Sequence, residues 1–296
     1  MNARVWLIVI PLFVLGGMLA SVYGVERSLL FKNTGHHYTV ALDENTRIDW
    51  TGGYIFAKAR TRLPRISVRD EPGTARSITE ARFQARETAH EQASLELLRA
   101  VGRLRVNSDS FLLNMLQQDR DLRERMATLT DLFLVKSRHT SEGYVSVELA
   151  LPFHGKGLYS LLAGRNYARG EIPRYDDLPV TDDFTGLIID TTEFPGFQPS
   201  LEPSVFTDVG RQIYGPEVVS RRCVIRRGLA AYYTTREHAQ NDNRVGLNPL
   251  YTFAAGTTGP GKSNVFLDSE DALRMIASES GRKALSRCAV VFVVRK

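Results

Sequence analysis

The chain has 296 residues, which is enough to bury a sizeable core, and its length favours about two domains. Its composition, 43% hydrophobic and 24% charged residues, is ordinary for a globular protein and excludes wholesale disorder. A net charge of +5 favours mild attraction to anionic surfaces such as lipid headgroups or cell-wall polymer, and it is too small to indicate a nucleic-acid partner.

The first 24 residues predict export. A cationic head with Arg4 precedes an almost wholly apolar run over 5–20, and small residues then lead to Gly24, which is the layout of a signal peptide cleaved after Gly24. An uncleaved membrane anchor is the alternative, because 5–25 is long enough to cross the hydrocarbon core as a helix. We interpret residues 25–44 as a tether.

Residues 45–163 predict a first α+β domain of strand, two helices and a hairpin. The segment Ser77-Ile-Thr-Glu80 fits a capping box, and alanines recur every four residues in the helix that follows it as far as Val101. Alternating apolar residues at 144–151 predict a strand with one buried face. The remaining predicted elements are a strand near 47–57, a helix at 110–126 and a strand at 132–139.

Three features of this region carry a family resemblance: Trp50-Thr-Gly-Gly53, the alanine-rich helix, and Glu142-Gly143 leading into a strand that ends at Leu151-Pro-Phe153. The region resembles a domain of outer-membrane lipoproteins and of flagellar basal-disk and H-ring components. The resemblance implies a bacterial periplasmic or cell-envelope location and assembly with envelope or flagellar-motor proteins. The chain lacks the lipidated cysteine of the lipoprotein members.

Residues 164–182 are polar and predict a linker, and 183–296 predict a second α+β domain that folds alone. A buried strand ending at Asp190 leads through a proline-rich loop to a hairpin with its turn at 208–210. From Thr185 onward the chain resembles a companion domain of uncharacterised exported bacterial proteins. The further predicted elements are strands at 217–225, 250–255, 264–267 and 288–294, helices at 235–241 and 269–279, and an unassigned segment at 228–233.

The segment Gly256-Thr-Thr-Gly-Pro-Gly-Lys262-Ser263 satisfies a phosphate-binding pattern in which glycine amides cradle phosphates and the lysine reaches the terminal phosphate. That chemistry requires a helix to begin directly after the loop. Here 264–267 predicts a strand instead, so we favour a hairpin loop and expect no nucleotide cofactor.

Two other motifs are incomplete. Ser280-Gly-Arg-Lys283 matches the S-x-x-K pattern of penicillin-binding enzymes without its companion elements, and we interpret it as a helix end with a glycine cap. His90-Glu91 begins a zinc-protease pattern but has Ser94 where the second histidine must stand. We therefore predict no catalytic, cofactor-binding or metal-ligating residues, and a protein that is not an enzyme.

Three weaker signals lie in the second domain. Cys223 and Cys288 can pair as a disulfide in an oxidising compartment, or each can be a small buried hydrophobe. Two basic pairs, Arg221-Arg222 and Arg226-Arg227, can contact cell-wall polymer, anionic lipid or an acidic partner. We favour a solvated strand edge for these pairs. For Asp190 we favour turn chemistry over catalysis.

The sequence thus predicts a non-enzymatic exported α+β protein that acts in envelope assembly. The resemblance further implies that this assembly is the flagellar motor. A homo-oligomer is compatible with this reading. The alternative is a periplasmic ligand-binding or secretion-accessory module.

Overall fold

A computed structural model of the chain describes residues 37–67, 69, 71–140, 142–162, 167, 170–173 and 182–296. The predicted signal peptide, its cleavage at Gly24 and most of the tether lie outside the described residues. The fold is α+β, as the sequence predicts. Within the described ranges no helix combines the length and apolarity needed to cross a membrane.

The elements of the first half, in chain order, are β1 (Thr39–Ala41), β2 (Thr46–Asp49), β3 (Tyr54–Arg62), β4 (Arg65–Ile66), β5 (Thr74–Ala75), α1 (Ile78–Gly102), α2 (Leu112–Gln118), α3 (Arg120–Ala127), a 3-10 turn (Thr128–Leu132), β6 (Leu134–Thr140), β7 (Tyr144–Pro152) and α4 (Leu158–Leu162).

Those of the second half are β8 (Gly186–Asp190), β9 (Val205–Thr207), β10 (Gln212–Tyr214), a 3-10 turn (Pro216–Val218), α5 (Arg221–Arg227), β11 (Ala230–Tyr233), α6 (Arg236–Gln240), β12 (Pro249–Phe253), β13 (Gly256–Thr258), β14 (Asn264–Leu267), α7 (Ser269–Ala277), α8 (Glu279–Ser286) and β15 (Val290–Val293).

The first half is an antiparallel sheet, in the order β1-β2-β3-β7-β6, covered by the long helix α1. The Ser77 hydroxyl accepts the Glu80 N–H at 3.2 Å, which confirms the predicted helix start. Every alanine of the four-residue repeat is buried, so the small side chains let α1 lie close to β3 and β7. These alanines are Ala81, Ala85, Ala89 and Ala93.

The single helix predicted over 110–126 is two helices in the structure. Asp119 takes an extended conformation between α2 and α3, and its carboxylate accepts the Leu122 N–H at 3.0 Å. An aspartate at a helix start competes with continued helix because its side chain satisfies a free amide there. The amphipathic pattern therefore continues across a break in the backbone helix.

The centre of the second half is a four-stranded parallel sheet in the order β11-β15-β8-β12. Leu187 and Ile189 of β8 face the main core, whereas Ile188 packs in a smaller cluster on the opposite face. A second sheet, β10-β9-β14-β13, contains the predicted hairpin with its turn at Gly210.

One hydrophobic core runs through both halves. Trp50 packs edge-on against Phe153 of its own half and against Tyr232 of β11, with ring centroids 5.7 and 5.5 Å apart. The Thr51 hydroxyl donates to the Tyr232 carbonyl at 2.5 Å, and the Tyr159 hydroxyl donates to the Leu201 carbonyl at 2.8 Å. Residues His36–Lys296 accordingly cluster as one compact unit.

Candidate functional site

A cleft of about 760 Å³ lies where the two halves meet. Its floor is one face of β1 and β2, one wall is the end of α1 with the start of α2, and the other wall is the loop after β8. The lining residues are Tyr38, Val40, Leu42, Ile48, Trp50, Gly102, Arg103, Arg105, Phe111, Leu113, Asn114, Pro195, Phe197, Gln198 and Pro199.

Most of this surface is apolar. Ile48, Trp50 and Phe197 are buried at its base, whereas Phe111 and Leu113 remain 41% and 51% exposed at its rim. Exposed large apolar side chains beside a concave apolar surface are typical of binding sites rather than of ordinary protein surface. The shape and chemistry of the cleft therefore suit an occupant with an apolar part.

Two arginines line the cleft, and their surroundings differ. Arg103 is satisfied, because its guanidinium donates to the Asp43 carboxylate at 3.1 Å and to the Leu42 carbonyl at 3.0 Å. Arg105 lies 4.4 Å above the Phe111 ring and has one long hydrogen bond, 3.4 Å, to the Ser108 carbonyl. Among the described residues no carboxylate pairs with Arg105, and burial lowers the pKa of its guanidinium.

The backbone around Arg105 is held from both sides. Its carbonyl accepts the Leu201 N–H at 3.0 Å, which ties the loop after β8 to this segment. From the other side the glycine-rich loop 256–263 contacts Ser108: the Gly261 N–H donates to the Ser108 carbonyl at 2.8 Å, and the Ser108 hydroxyl donates to the Thr258 carbonyl at 3.0 Å. Arg105 is thus presented to the cleft by a fixed frame.

This contact explains two of the three glycines in the phosphate-like segment, Gly259 and Gly261. A Cβ on Gly259 would lie 2.0 Å from the Ser108 Oγ, and a Cβ on Gly261 would lie 2.1 Å from an Arg105 guanidinium nitrogen. The loop joins β13 to the antiparallel strand β14, and no helix begins at Lys262, so the predicted hairpin is confirmed. Gly259 and Gly261 thus serve close approach between the two halves, whereas a Cβ on Gly256 would meet only the Phe266 ring, at 3.6 Å.

Asp190 ends β8 at the carboxyl edge of the parallel sheet, where ligands often bind in such sheets. Its carboxylate accepts the Thr192 N–H at 2.9 Å and the Thr192 hydroxyl at 2.6 Å, which confirms the predicted turn chemistry. It also accepts the Tyr251 hydroxyl, whose pKa is raised to about 12 by burial and by this hydrogen bond. The Arg236 guanidinium covers the Tyr251 ring at 4.0 Å.

The basic pairs lie on a helix, so the strand predicted over 217–225 is wrong. The Ser220 hydroxyl accepts the Cys223 N–H at 3.2 Å and starts α5, while Cys223 and Val224 supply its buried side. Arg221, Arg222 and Arg226 are exposed and Arg227 is half-buried. Because the segment is a helix, the interpretation of these arginines as a solvated strand edge is wrong. Their contact with an anionic polymer, lipid or partner stays a prediction.

Both cysteines are free and buried in the structure, so the disulfide is not formed there. Burial raises the pKa of the Cys288 thiol to about 12, which keeps it protonated. This agrees with the interpretation of each cysteine as a small buried hydrophobe.

The two incomplete enzyme motifs of the sequence both lie inside helices. Ser280-Gly-Arg-Lys283 is not a helix end, because α8 starts at Glu279 and the Gly281 N–H donates to the Ser278 hydroxyl that caps it. Ser94 donates its hydroxyl to the His90 carbonyl one turn earlier in α1, at 2.8 Å.

Sequence reasoning missed the cleft because its three segments, 38–50, 102–114 and 195–199, are separated by as much as half the chain. The one local signal was the run Phe111-Leu112-Leu113, in which only the central leucine is buried. An amphipathic helix needs no apolar residue on the outer side, so Phe111 and Leu113 exceed what folding requires.

Residues 186–296 match a family model described as the second domain of Treponema pallidum Tp0624. The match begins at the first residue of β8, and the family is an uncharacterised bacterial domain, as the resemblance from Thr185 onward predicts. No curated protein matches the chain. The family match does not include residues 45–163, for which the lipoprotein and flagellar resemblance stays a prediction.

Proposed function

We propose that this protein is an exported, non-enzymatic component of a bacterial envelope, and that it works in assembly by holding a partner protein in the cleft between its two halves. The observation that carries the proposal is the cleft itself: about 760 Å³, largely apolar, and bordered by the exposed side chains of Phe111 and Leu113. Its volume lies within the range of small-molecule sites, so it has room for several side chains of a partner.

The flagellar-motor version is a narrower proposal. It is supported by the resemblance of residues 45–163 and by the alanine-rich helix that carries part of that resemblance. Loss of motility in a deletion strain is its expected consequence, and normal motility with a disturbed envelope would restrict the role to general envelope assembly.

The alternative function is a periplasmic ligand-binding or secretion-accessory module, and the same cleft favours it. The two proposed functions differ in what occupies the cleft. A partner protein reaches the cleft from outside and contacts its rim, whereas a small ligand fills the base around Trp50 and Phe197.

A photo-crosslinking amino acid at position 113, at the rim of the cleft, tests the proposal in living cells. The matched control is position 209, where Val209 is 82% exposed in the β9–β10 turn. We expect an adduct with an envelope protein from position 113 and none from position 209. A low-mass ligand in native mass spectra, with no protein adduct, would establish the ligand-binding alternative. Turnover of a cell-wall or phosphorylated substrate by the purified protein would overturn the proposal that it is not an enzyme.

Export has its own test. N-terminal sequencing of the protein from the periplasmic fraction is expected to begin at Val25. An intact Met1 in the membrane fraction would show that the apolar segment is an uncleaved anchor.

A further inference from the structure

The outer edge of β1 forms one border of the cleft. In the sheet order β1-β2-β3-β7-β6 this strand is terminal, and among the described residues no strand pairs with its other side. The Tyr38 carbonyl accepts the Trp50 N–H and the Leu42 N–H donates to the Thr46 carbonyl, both at 3.0 Å. These bonds show that Tyr38 and Leu42, which flank β1 on either side, turn these backbone groups toward β2.

In an antiparallel pair, residues that bond to the neighbouring strand alternate with residues whose N–H and C=O point away from it. Since Tyr38 and Leu42 bond to the β2 side, Thr39 and Ala41 direct their backbone groups outward. Ala41 is also exposed. Within the part of the chain that the structure describes, no group bonds to these outward backbone atoms, so the edge offers two residues of free backbone, which is what a peptide that adds a strand to a sheet requires.

Side chains of such an added strand would alternate between the two faces of the sheet. One of those faces is the cleft floor, because Tyr38, Val40 and Leu42 all line the cleft. An apolar side chain of the peptide would enter the cleft between this floor and Phe111. The edge and the cleft thus form a single surface for an extended chain.

The charge of the cleft specifies the peptide further. Arg105 is a half-buried cation with no carboxylate partner among the described residues, whereas Arg103 is paired with Asp43. A partly desolvated guanidinium without a counter-ion gains a charge-assisted contact from an incoming carboxylate. Burial lowers the pKa of the Arg105 guanidinium, which remains charged but has lost part of its hydration.

We propose that the cleft and the outer edge of β1 bind an extended peptide segment of a partner protein, in which an apolar side chain stands next to a carboxylate that pairs with Arg105. This inference rests on the proposed function and names the chemistry of the partner. A single-chain amphiphile would use the apolar floor and Arg105 but not the backbone of Thr39 and Ala41, which is why the observations favour a peptide.

Selection from a display library of random heptapeptides on the purified protein tests it. We expect the bound pool to be enriched in peptides with Asp or Glu beside Leu, Ile or Phe. Arg105→Gln is expected to weaken binding of a selected peptide about tenfold or more, because a charge-assisted contact is lost. The control Arg99→Gln is expected to change it less than about threefold, since Arg99 pairs with Glu96 on the exposed side of α1 and does not line the cleft.

Ala41→Pro removes the outward N–H without touching a bond to β2, and proline is tolerated on an edge strand. We expect this variant to lose peptide binding while its urea unfolding midpoint is unchanged. If the variant is destabilised, peptides N-methylated at alternate positions provide the same test on the unaltered protein. Binding that survives both changes would overturn the strand-addition geometry.

A pool without acidic enrichment, or one whose binding is indifferent to Arg105→Gln, would overturn the charge assignment. Dodecanoate that binds when no peptide is selected would show that the site takes an amphiphile. Because photo-crosslinking at position 113 requires only a protein partner, an adduct there with a failed selection would overturn this inference and leave the proposed function standing.

Discussion

At the scale of single residues, Gly259 shows how packing can require a glycine. It lies in the loop that follows β13 with a φ of +82°, where a Cβ would lie 2.0 Å from the Ser108 Oγ. Only glycine combines that backbone conformation with so close a neighbour. This glycine of the segment that resembles a phosphate-binding loop is therefore accounted for by contact between the two halves of the chain.

We predict that Gly259→Ala lowers the free energy of unfolding by about 1–3 kcal/mol, because it adds both strain and a steric conflict with Ser108. Gly256→Ala is the matched control: it belongs to the same hairpin, and a Cβ there would meet nothing closer than 3.6 Å. Urea unfolding of both variants measures the difference. Equal stability of the two variants would mean that the loop does not need its close approach to Ser108.

His154 makes stability depend on pH. Its ring stacks on Tyr159 with centroids 5.6 Å apart, and its Nδ1 is buried without a hydrogen-bond partner in the described structure. Burial, and secondarily the charge of Arg244, lowers the pKa of His154 from 6.5 to about 4. The unfolded chain therefore binds this proton more readily than the folded protein does between those values, and stability falls as the pH is lowered through that window.

The expected loss is about 3 kcal/mol on going from pH 6.5 to pH 4, since one pKa unit corresponds to about 1.4 kcal/mol. Chemical denaturation at a series of pH values measures it. His154→Phe keeps an aromatic ring on Tyr159 and is expected to flatten the slope between pH 6.5 and 5, where carboxyl groups contribute little. An unchanged slope in this variant would assign the pH dependence to other groups.

At the scale of elements, the parts predicted correctly are those with strong local signals. The capped helix that begins after Ser77, the alternating strand β7 and the hairpin at Gly210 each have a period or a turn residue that the sequence displays. The segment 217–225 was mispredicted as a strand because its valines and isoleucine favour strands. The segment forms a helix instead, which begins after the Ser220 hydroxyl and ends at Gly228. Burial of Val224 in the core outweighs the preference of its side chain for strands.

The candidate site was the least predictable part. No local period relates Arg105, Phe111 and Phe197, because their proximity arises only when the loop after β8 is bonded to the segment after α1. The chemistry of each residue was visible in the sequence, and the juxtaposition was not.

The four buried alanines of α1, which recur every four residues, lead to a prediction at the scale of elements. Ala89 is fully buried against the antiparallel sheet, so Ala89→Leu is expected to lower the free energy of unfolding by about 1–3 kcal/mol or more through overpacking. Arg82→Leu, on the exposed side of the same helix, is the control and is expected to change stability by less than about 0.5 kcal/mol. Comparable effects would mean that α1 does not lie as close to β3 and β7 as the structure shows.

At the scale of the whole molecule, the shared core changes what we expect of the two halves. The sequence predicts that the second domain, from about residue 183, folds alone. Tyr232 and Phe197, however, belong to a core cluster that also contains Trp50 and Phe153 of the first half. Removing the first half would expose this apolar surface to water.

We therefore predict that a fragment of residues 183–296 binds a hydrophobic dye and unfolds at lower urea concentration than a 37–296 fragment. The physical reason is lost burial of aromatic side chains, each worth about 1.5–3 kcal/mol when fully buried. A fragment with native-like cooperativity and no dye binding would restore the view of two independent domains.

The position of β15 has a consequence for biosynthesis. This strand is the last in chain order, yet it lies between β11 and β8 inside the parallel sheet. A polypeptide emerging from the ribosome amino end first cannot complete that sheet until residues 290–293 have been made. The first half has all strands of its antiparallel sheet by residue 152, whereas the second half waits for the last few residues before its core sheet is complete. During synthesis the two halves would therefore reach their folded state at different times.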